Sequence, residues 1–330
     1  MPRDAPTRPG CATKPVGRMN LREFCVLMTM CLVWGLHFIV IKVALGELPP
    51  TTYAAARMAL VAALLAPFLR WRPGVMHRVF AAGLCLGVLN YAFMFNGVGL
   101  ATASASAVAV ELYTPFATIL SFVFLKETIG WRRTTGIALA FAGVVVIALG
   151  GGEGDAAAAE TQSLGVALVA FGVMFEAVGA IVIKRTSGFR PIELLAWFSV
   201  IGAACLWPLA LLLEPNGVRA IPAADPVRLA GAIVYSAIGA SIIGHTSYYW
   251  LIQRLPISLV APSAFITTLI AVIASVIILG DPLTLPFLIG GAMTMAGVAI
   301  VLLRSNRAAA EPGARGAGFF RRPPDPRESK

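Results

Sequence analysis

Ten long, nearly uncharged apolar blocks run through this chain, and few folds accommodate them. They cover residues 24–45, 52–69, 79–99, 103–125, 132–150, 163–184, 192–213, 229–252, 257–279 and 284–303. Each is close to the ~20 residues that cross a ~30 Å hydrocarbon layer at ~1.5 Å per residue. A lone segment in lipid must satisfy its own backbone hydrogen bonds, so each block is expected to be a helix; a barrel would need a polar–apolar alternation that these blocks lack. Composition agrees, because 58% of the 330 residues are hydrophobic and 13% charged, about half the charged share of a soluble domain. The expected fold class is an all-α integral membrane protein with ten transmembrane helices.

Orientation follows from lysine and arginine, which stay on the cytoplasmic side of span ends. With the N-terminus inside, the head, the inner loops and the tail hold 22 of the 26 basic residues, leaving Lys42, Arg57, Arg219 and Arg228 elsewhere. Both termini are therefore expected inside, in a cytoplasmic (inner) membrane. The net charge of +10 reads as a positive inner face drawn to anionic lipid and calls for no nucleic-acid partner. The head, residues 1–23, and the Arg-, Pro- and Gly-rich tail, residues 304–330, read as disordered cytoplasmic segments. The block after the head is too long for a cleaved signal peptide and lacks a small-residue cleavage site. Met19, just ahead of a helical sequence, points to a start there, with residues 1–18 disordered or untranslated. The five cysteines have no paired spacing, so neither a disulfide framework nor a zinc site is expected.

The chain also resembles itself. A shift of 142 residues lays Ile39-Val40-Ile41-Lys42 on Ile181-Val182-Ile183-Lys184 and Pro49 on Pro191. A shift of 154 aligns the fourth and fifth spans with the ninth and tenth, matching Ser104 to Ser258, Thr114 to Thr268, Ser121 to Ser275, Gly136 to Gly290 and Gly143 to Gly297. Residues 24–150 and 163–303 thus read as two copies of one five-helix unit, joined by an extracytoplasmic linker over 151–162. Five is odd, so the copies are inverted in the membrane. Inverted repeats suit alternating access, since exchanging the two copies' conformations turns an inward-open state into an outward-open one.

The run Val33-Trp34-Gly35-Leu36-His37-Phe38, with Lys42, Pro49-Pro50 and Arg57 following, resembles the first two helices of EamA-type transporters of the drug/metabolite transporter superfamily. Pro115, Phe124-Leu125-Lys126-Glu127, the Gly136 to Gly143 helix and Leu279-Gly280-Asp281 resemble the same family's repeat ends. The resemblance spans about residues 24–303 and implies a ten-helix exporter or carrier of small, often amino-acid-like metabolites or drug-like compounds. Its first helix looks most like exporters of cysteine-pathway metabolites. Where the family usually has Asn in its Trp-Gly-x-Asn-Phe run, this chain has His37.

Ionisable groups within spans are costly, so each needs a partner or a task. Glu176, mid-way along the sixth span, and Glu111 in the fourth can each hold a substrate ammonium group or exchange a proton; the competing reading is a protonated acid bonded to a neighbouring helix. Pro115 is expected to free the carbonyl of Glu111. His37 and His245 titrate in the physiological range when unperturbed, against an alternative of plain interhelical hydrogen bonds. Lys42 and Arg57 lie within ~10 Å of the outer face by helical rise, so they are expected to snorkel, with an outer gate that also includes Trp34 as the functional alternative. Asn90 and Tyr91 are central; Tyr248 and Ser263 are candidate wall residues, whereas Tyr249 and Trp250 read as interface anchors. The expected substrate-binding set is His37, Asn90, Tyr91, Glu111, Glu176, Tyr248 and Ser263, with Glu111 and Glu176 as proton-coupling candidates and no metal or cofactor.

The glycine run at 150–154 sits between spans and cannot form a phosphate loop, and no Walker, His-Glu-x-x-His or Gly-x-Ser-x-Gly sequence occurs. A transporter rather than an enzyme is expected, driven by something other than direct ATP use. The expected partners are a small-molecule substrate and the bilayer, and small-residue faces leave a homo-oligomer open. Two other classes remain: an embedded enzyme acting on a lipid or isoprenoid, and a non-transporting assembly or sensor subunit.

Overall fold

The computed structural model describes residues 19–125, 129–150, 156–184, 188–255 and 257–310. The head before Met19, Lys126 and Glu127, most of the glycine run and the last stretch of the tail lie outside the described residues. Among the described residues, nine helices are long and apolar enough to cross a membrane: α1 (Leu21–Leu45), α2 (Pro50–Phe68), α3 (Met76–Leu100), α4 (Ala103–Phe124), α5 (Trp131–Leu149), α6 (Ala156–Lys184), α7 (Pro191–Leu213), α8 (Pro226–Ile252) and α10 (Leu285–Leu303). A shorter apolar helix, α9 (Ser263–Leu279), stands between α8 and α10. Leu212, Ile277 and Phe122 remain exposed on this bundle, as expected of side chains that meet lipid. The protein is an all-α, multi-pass membrane protein.

Local chemistry explains where these helices begin and bend. At α1, Asn20 Oδ1 accepts from the Glu23 amide at 2.8 Å and Glu23 Oε2 accepts from the Asn20 amide at 2.9 Å, a reciprocal cap that satisfies two otherwise orphaned donors. The fourth span is not one regular helix. Pro115 has no N–H to give, but the Glu111 carbonyl is not left free as expected. The chain tightens instead: Glu111 N donates to the Val108 carbonyl at 3.1 Å, Leu112 N to that of Ala109 at 3.1 Å, and Thr114 N to that of Glu111 at 3.3 Å. The ninth span, expected over 257–279, is interrupted by a turn at Ala261 and Pro262, so its continuous part starts at Ser263. At the other end, the α10 helix runs on to Ala310, so the start of the supposedly disordered tail is helical.

Packing follows the repeat. The principal partners are α1 with α9 and α8, α6 with α4 and α3, α2 with α7 and α8, α3 with α7, and α5 with α10. Exchanging each helix with the one five places along maps this set onto itself, as a two-copy arrangement requires. One pair of backbone irregularities also follows the repeat, because α3 is π-helical over Leu84–Leu89 and α8 over Tyr235–Gly244, stretches that overlap under the 154-residue shift, whereas the π-helical end of α9 over Ser275–Leu279 has no counterpart in α4. Single π turns inside α-helices concentrate at functional sites, and here the longer one carries Ser236 and Ser241.

Candidate functional site

Two polar loci of opposite character lie between the halves. The first is acidic. Asn90 Nδ2 on α3 donates to the Gly172 carbonyl at 3.0 Å and to Glu176 Oε2 on α6 at 3.4 Å. Tyr113 of α4 and Tyr248 and Tyr249 of α8 all lie within electrostatic reach of Glu176. Glu176, Tyr113 and Tyr249 are half-buried and Tyr248 is exposed. Trp34 forms part of its aromatic wall, with ring centroids 5.4 Å from His245 and 5.9 Å from Tyr248, and its Nε1 donates to the Ala240 carbonyl at 3.0 Å. Tyr249 and Trp250, both read from sequence as interface anchors, border a cavity of about 340 Å³ between α7 and α8 together with Arg190, His245 and Gln253.

Glu111 is more enclosed, at 7% exposure. Its Oε1 accepts from Thr268 Oγ1 of α9 at 2.6 Å, a bond that joins the turn in α4 to the opposite half.

The second locus is basic. Arg57 of α2 is only 2% exposed, which overturns the expectation that it snorkels: its face of α2 is turned into the protein. Arg57 Nη2 donates to Ser241 Oγ at 2.8 Å, and the guanidinium lies over the Tyr91 ring at 4.7 Å and the Phe95 ring at 5.6 Å. Its Nε and Nη1 are buried without a hydrogen-bond partner among the described residues. Cation–π contacts contribute about 0.5–2 kcal/mol, whereas removing a cation from water costs several kcal/mol, so the rings alone do not offset the burial. Beside it, His37 Nε2 meets Ser236 Oγ at 3.0 Å, and the same hydroxyl meets the Tyr53 hydroxyl at 2.5 Å. Tyr53 Oη also donates to the Ala232 carbonyl at 3.1 Å. Arg57 acts electrostatically on both His37 and His245. Consecutive residues connect the loci, since Asn90 serves the acidic one and Tyr91 the basic one.

Other sequence candidates lie apart. Lys42 Nζ donates to the Gly99 carbonyl at 3.2 Å and borders a cavity of about 510 Å³ with Thr102, Gln162 and Asp281. Ser263 is buried at the start of α9, where its carbonyl accepts from the Cys31 thiol at 3.5 Å. Sequence reasoning missed Tyr53, Tyr113, Ser236 and Ser241. The one signal for them is a polar side chain on an apolar span, which packing serines and tyrosines give equally well.

Comparison with known proteins places this architecture. The EamA-like transporter family model matches residues 21–149 and 163–303, the two halves of the bundle. A protein of Archaeoglobus fulgidus described as an uncharacterized transporter is 26% identical over 86% of this chain and 99% of its own length. A probable amino-acid metabolite efflux pump of Escherichia coli is 27% identical over 86% of this chain and 95% of its own. A probable terminal-alkyne amino-acid exporter of Streptantibioticus cattleyicolor is 27% identical over 88% and 97%, respectively. One solved crystal structure superposes with a TM-score of 0.58 over 87% of this chain and 98% of that one, at 20% identity, which speaks for the fold alone. With the family's model covering both halves of an all-helical membrane bundle, this chain belongs to the EamA-like transporter family.

Proposed function

We propose that the protein is a cytoplasmic-membrane exporter of small amino-acid-like metabolites that works by alternating access between its two inverted halves, with both termini inside. One observation carries the reading. The side-chain-to-side-chain hydrogen bonds that build the two loci all cross from one half to the other, as in Asn90 to Glu176, Thr268 to Glu111, His37 to Ser236 and Arg57 to Ser241. A site made of cross-half bonds must be remade whenever the halves rock, and this couples occupancy to conformation. Two relatives named for amino-acid export support the substrate class. In this reading Glu176 receives a substrate ammonium group, and Glu111 or Glu176 carries a coupling proton. His37, Asn90, Tyr91 and Tyr248 line the path, and Trp34 and Lys42 serve as gate elements.

The test is counterflow of radiolabelled amino acids in proteoliposomes. Wild-type protein should move at least one of them, recovered chemically unchanged, and Glu111→Gln with Glu176→Gln should abolish the flux. Unaltered flux in the double variant would remove the acids from the mechanism. Conversion of a labelled lipid or isoprenoid without movement between compartments would replace transport by catalysis.

A further inference from the structure

We infer that Arg57 is the anchor for a carboxylate group, so that the site takes ligands carrying a carboxylate at one end and an ammonium group at the other. The inference rests on the transport reading above and makes its substrate class specific. A guanidinium offers five N–H donors in a planar fork suited to two carboxylate oxygens. In Arg57 one arm of that fork is used by Ser241, while Nε and Nη1 are buried and unpartnered among the described residues. The neighbours do not supply the missing charge. Tyr91 and Phe95 offer ring faces, Ser241 a neutral hydroxyl, and His37 and His245 are themselves groups that can become cations. A buried cation surrounded in this way calls for an anion from outside the chain.

Position favours a transported anion over a permanent one. Arg57 lies in the first half and Ser241 in the second, so the bond that holds the guanidinium in the present conformation is a bond between halves. Nε and Nη1 are covered here, and parting of the halves both releases Ser241 and uncovers them. The acidic locus begins one residue from Tyr91, at Asn90 and Glu176. One end of the path therefore suits a carboxylate and the other an ammonium, which is the charge pattern of a zwitterion. A substrate without a carboxylate would leave Nε and Nη1 of Arg57 unpaired.

The experiment uses the full-length protein in detergent and measures the thermal shift and the binding isotherm for the twenty protein amino acids, each beside its own amide, with sodium chloride as the inorganic control. The expected result is a shift with one or more amino acids, none or a much weaker one with the matching amides, and none with chloride alone. Arg57→Gln should weaken the amino-acid response by roughly 30-fold or more, as for truncation of one partner in a buried charged pair, and Arg57→Lys should restore part of it. Because the acid-to-amide comparison is made on wild-type protein, it holds even if Arg57→Gln fails to fold. Equal shifts with acids and amides, a response from chloride alone, or no response to any amino acid would each overturn the inference. Counterflow separates the two readings. If amides move as well as acids, the Arg57 assignment fails and transport stands; if amino acids bind through Arg57 but never cross, the transport reading fails and the anchor stands.

Discussion

At Glu111 a single hydroxyl decides whether a buried carboxyl is tolerated. Thr268 Oγ1 donates to it at 2.6 Å, and replacing Thr268 by Val keeps the shape while removing the donor. An acceptor left buried and unsatisfied costs about 1–3 kcal/mol, so Thr268→Val should melt a few degrees below wild type in detergent, whereas Glu111→Gln, which keeps an acceptor oxygen, should not. Co-melting of Thr268→Val with wild type would show that the bond contributes nothing. The sequence made Glu111, Glu176 and His37 visible because an ionisable group contrasts with an apolar block. Their partners offered no such contrast. Thr268, Tyr113, Ser236 and Ser241 are types common on helix-packing faces, and each belongs to the half opposite the residue it serves. Arg57 was misjudged for a different reason: helical rise gives depth in the membrane, but only packing fixes which way around α2 the side chain points.

Helices were largely legible because their signal is length and hydropathy, while their irregularities were not. The turn in α4 and the π-helical stretches of α3 and α8 leave hydropathy unchanged. One contact joins positions that the repeat makes equivalent. Gly136 and Gly143 of α5 match Gly290 and Gly297 of α10 in the 154-residue shift, and the two pairs are set against each other in the fold. A Cβ on Gly143 would stand 2.4 Å from the Gly290 carbonyl oxygen, and one on Gly136 would stand 2.8 Å from that of Gly297. Here the absent side chain lets two backbones approach, as small residues do between membrane helices. Gly143→Ile must push α5 from α10, and overpacking of this kind costs about 1–3 kcal/mol or more. Gly291→Ile is the control, because nothing lies within 4 Å of its Cβ position. The first variant should lose thermal stability and the second should not; equal melting of the two would mean that the α5–α10 contact adjusts freely.

For the molecule as a whole, the exchange-symmetric packing predicts that transport consists of breaking one set of cross-half ties while making another. One such set is visible at the end where α1 finishes. Asp281 Oδ2 accepts from Ser104 N and Ser104 Oγ, both at 2.9 Å, at the entry to α4. The Glu214 carboxylate accepts from Thr51 N at 2.9 Å, and from Thr52 N and Thr52 Oγ1 at 2.7 Å each, at the start of α2. The Thr102 amide donates to Gln162 Oε1 at 3.0 Å. The Asp281 and Glu214 ties pair a residue of the first half with one of the second, the Gln162 tie reaches from the first half to the residue just before the second, and each caps helix-start N–H groups that would otherwise lack partners. If the halves rock, these ties must open in every cycle. Ser104→Cys with Asp281→Cys, in a background whose five natural cysteines are replaced, allows them to be locked by a short, reducible bis-thiol crosslinker. Counterflow should stop on crosslinking and return on reduction, while ligand binding measured in detergent should persist at least in part. Full counterflow through the locked protein would mean that Ser104 and Asp281 never separate, and the path would then have to open somewhere other than this end of α4 and the α9–α10 connection.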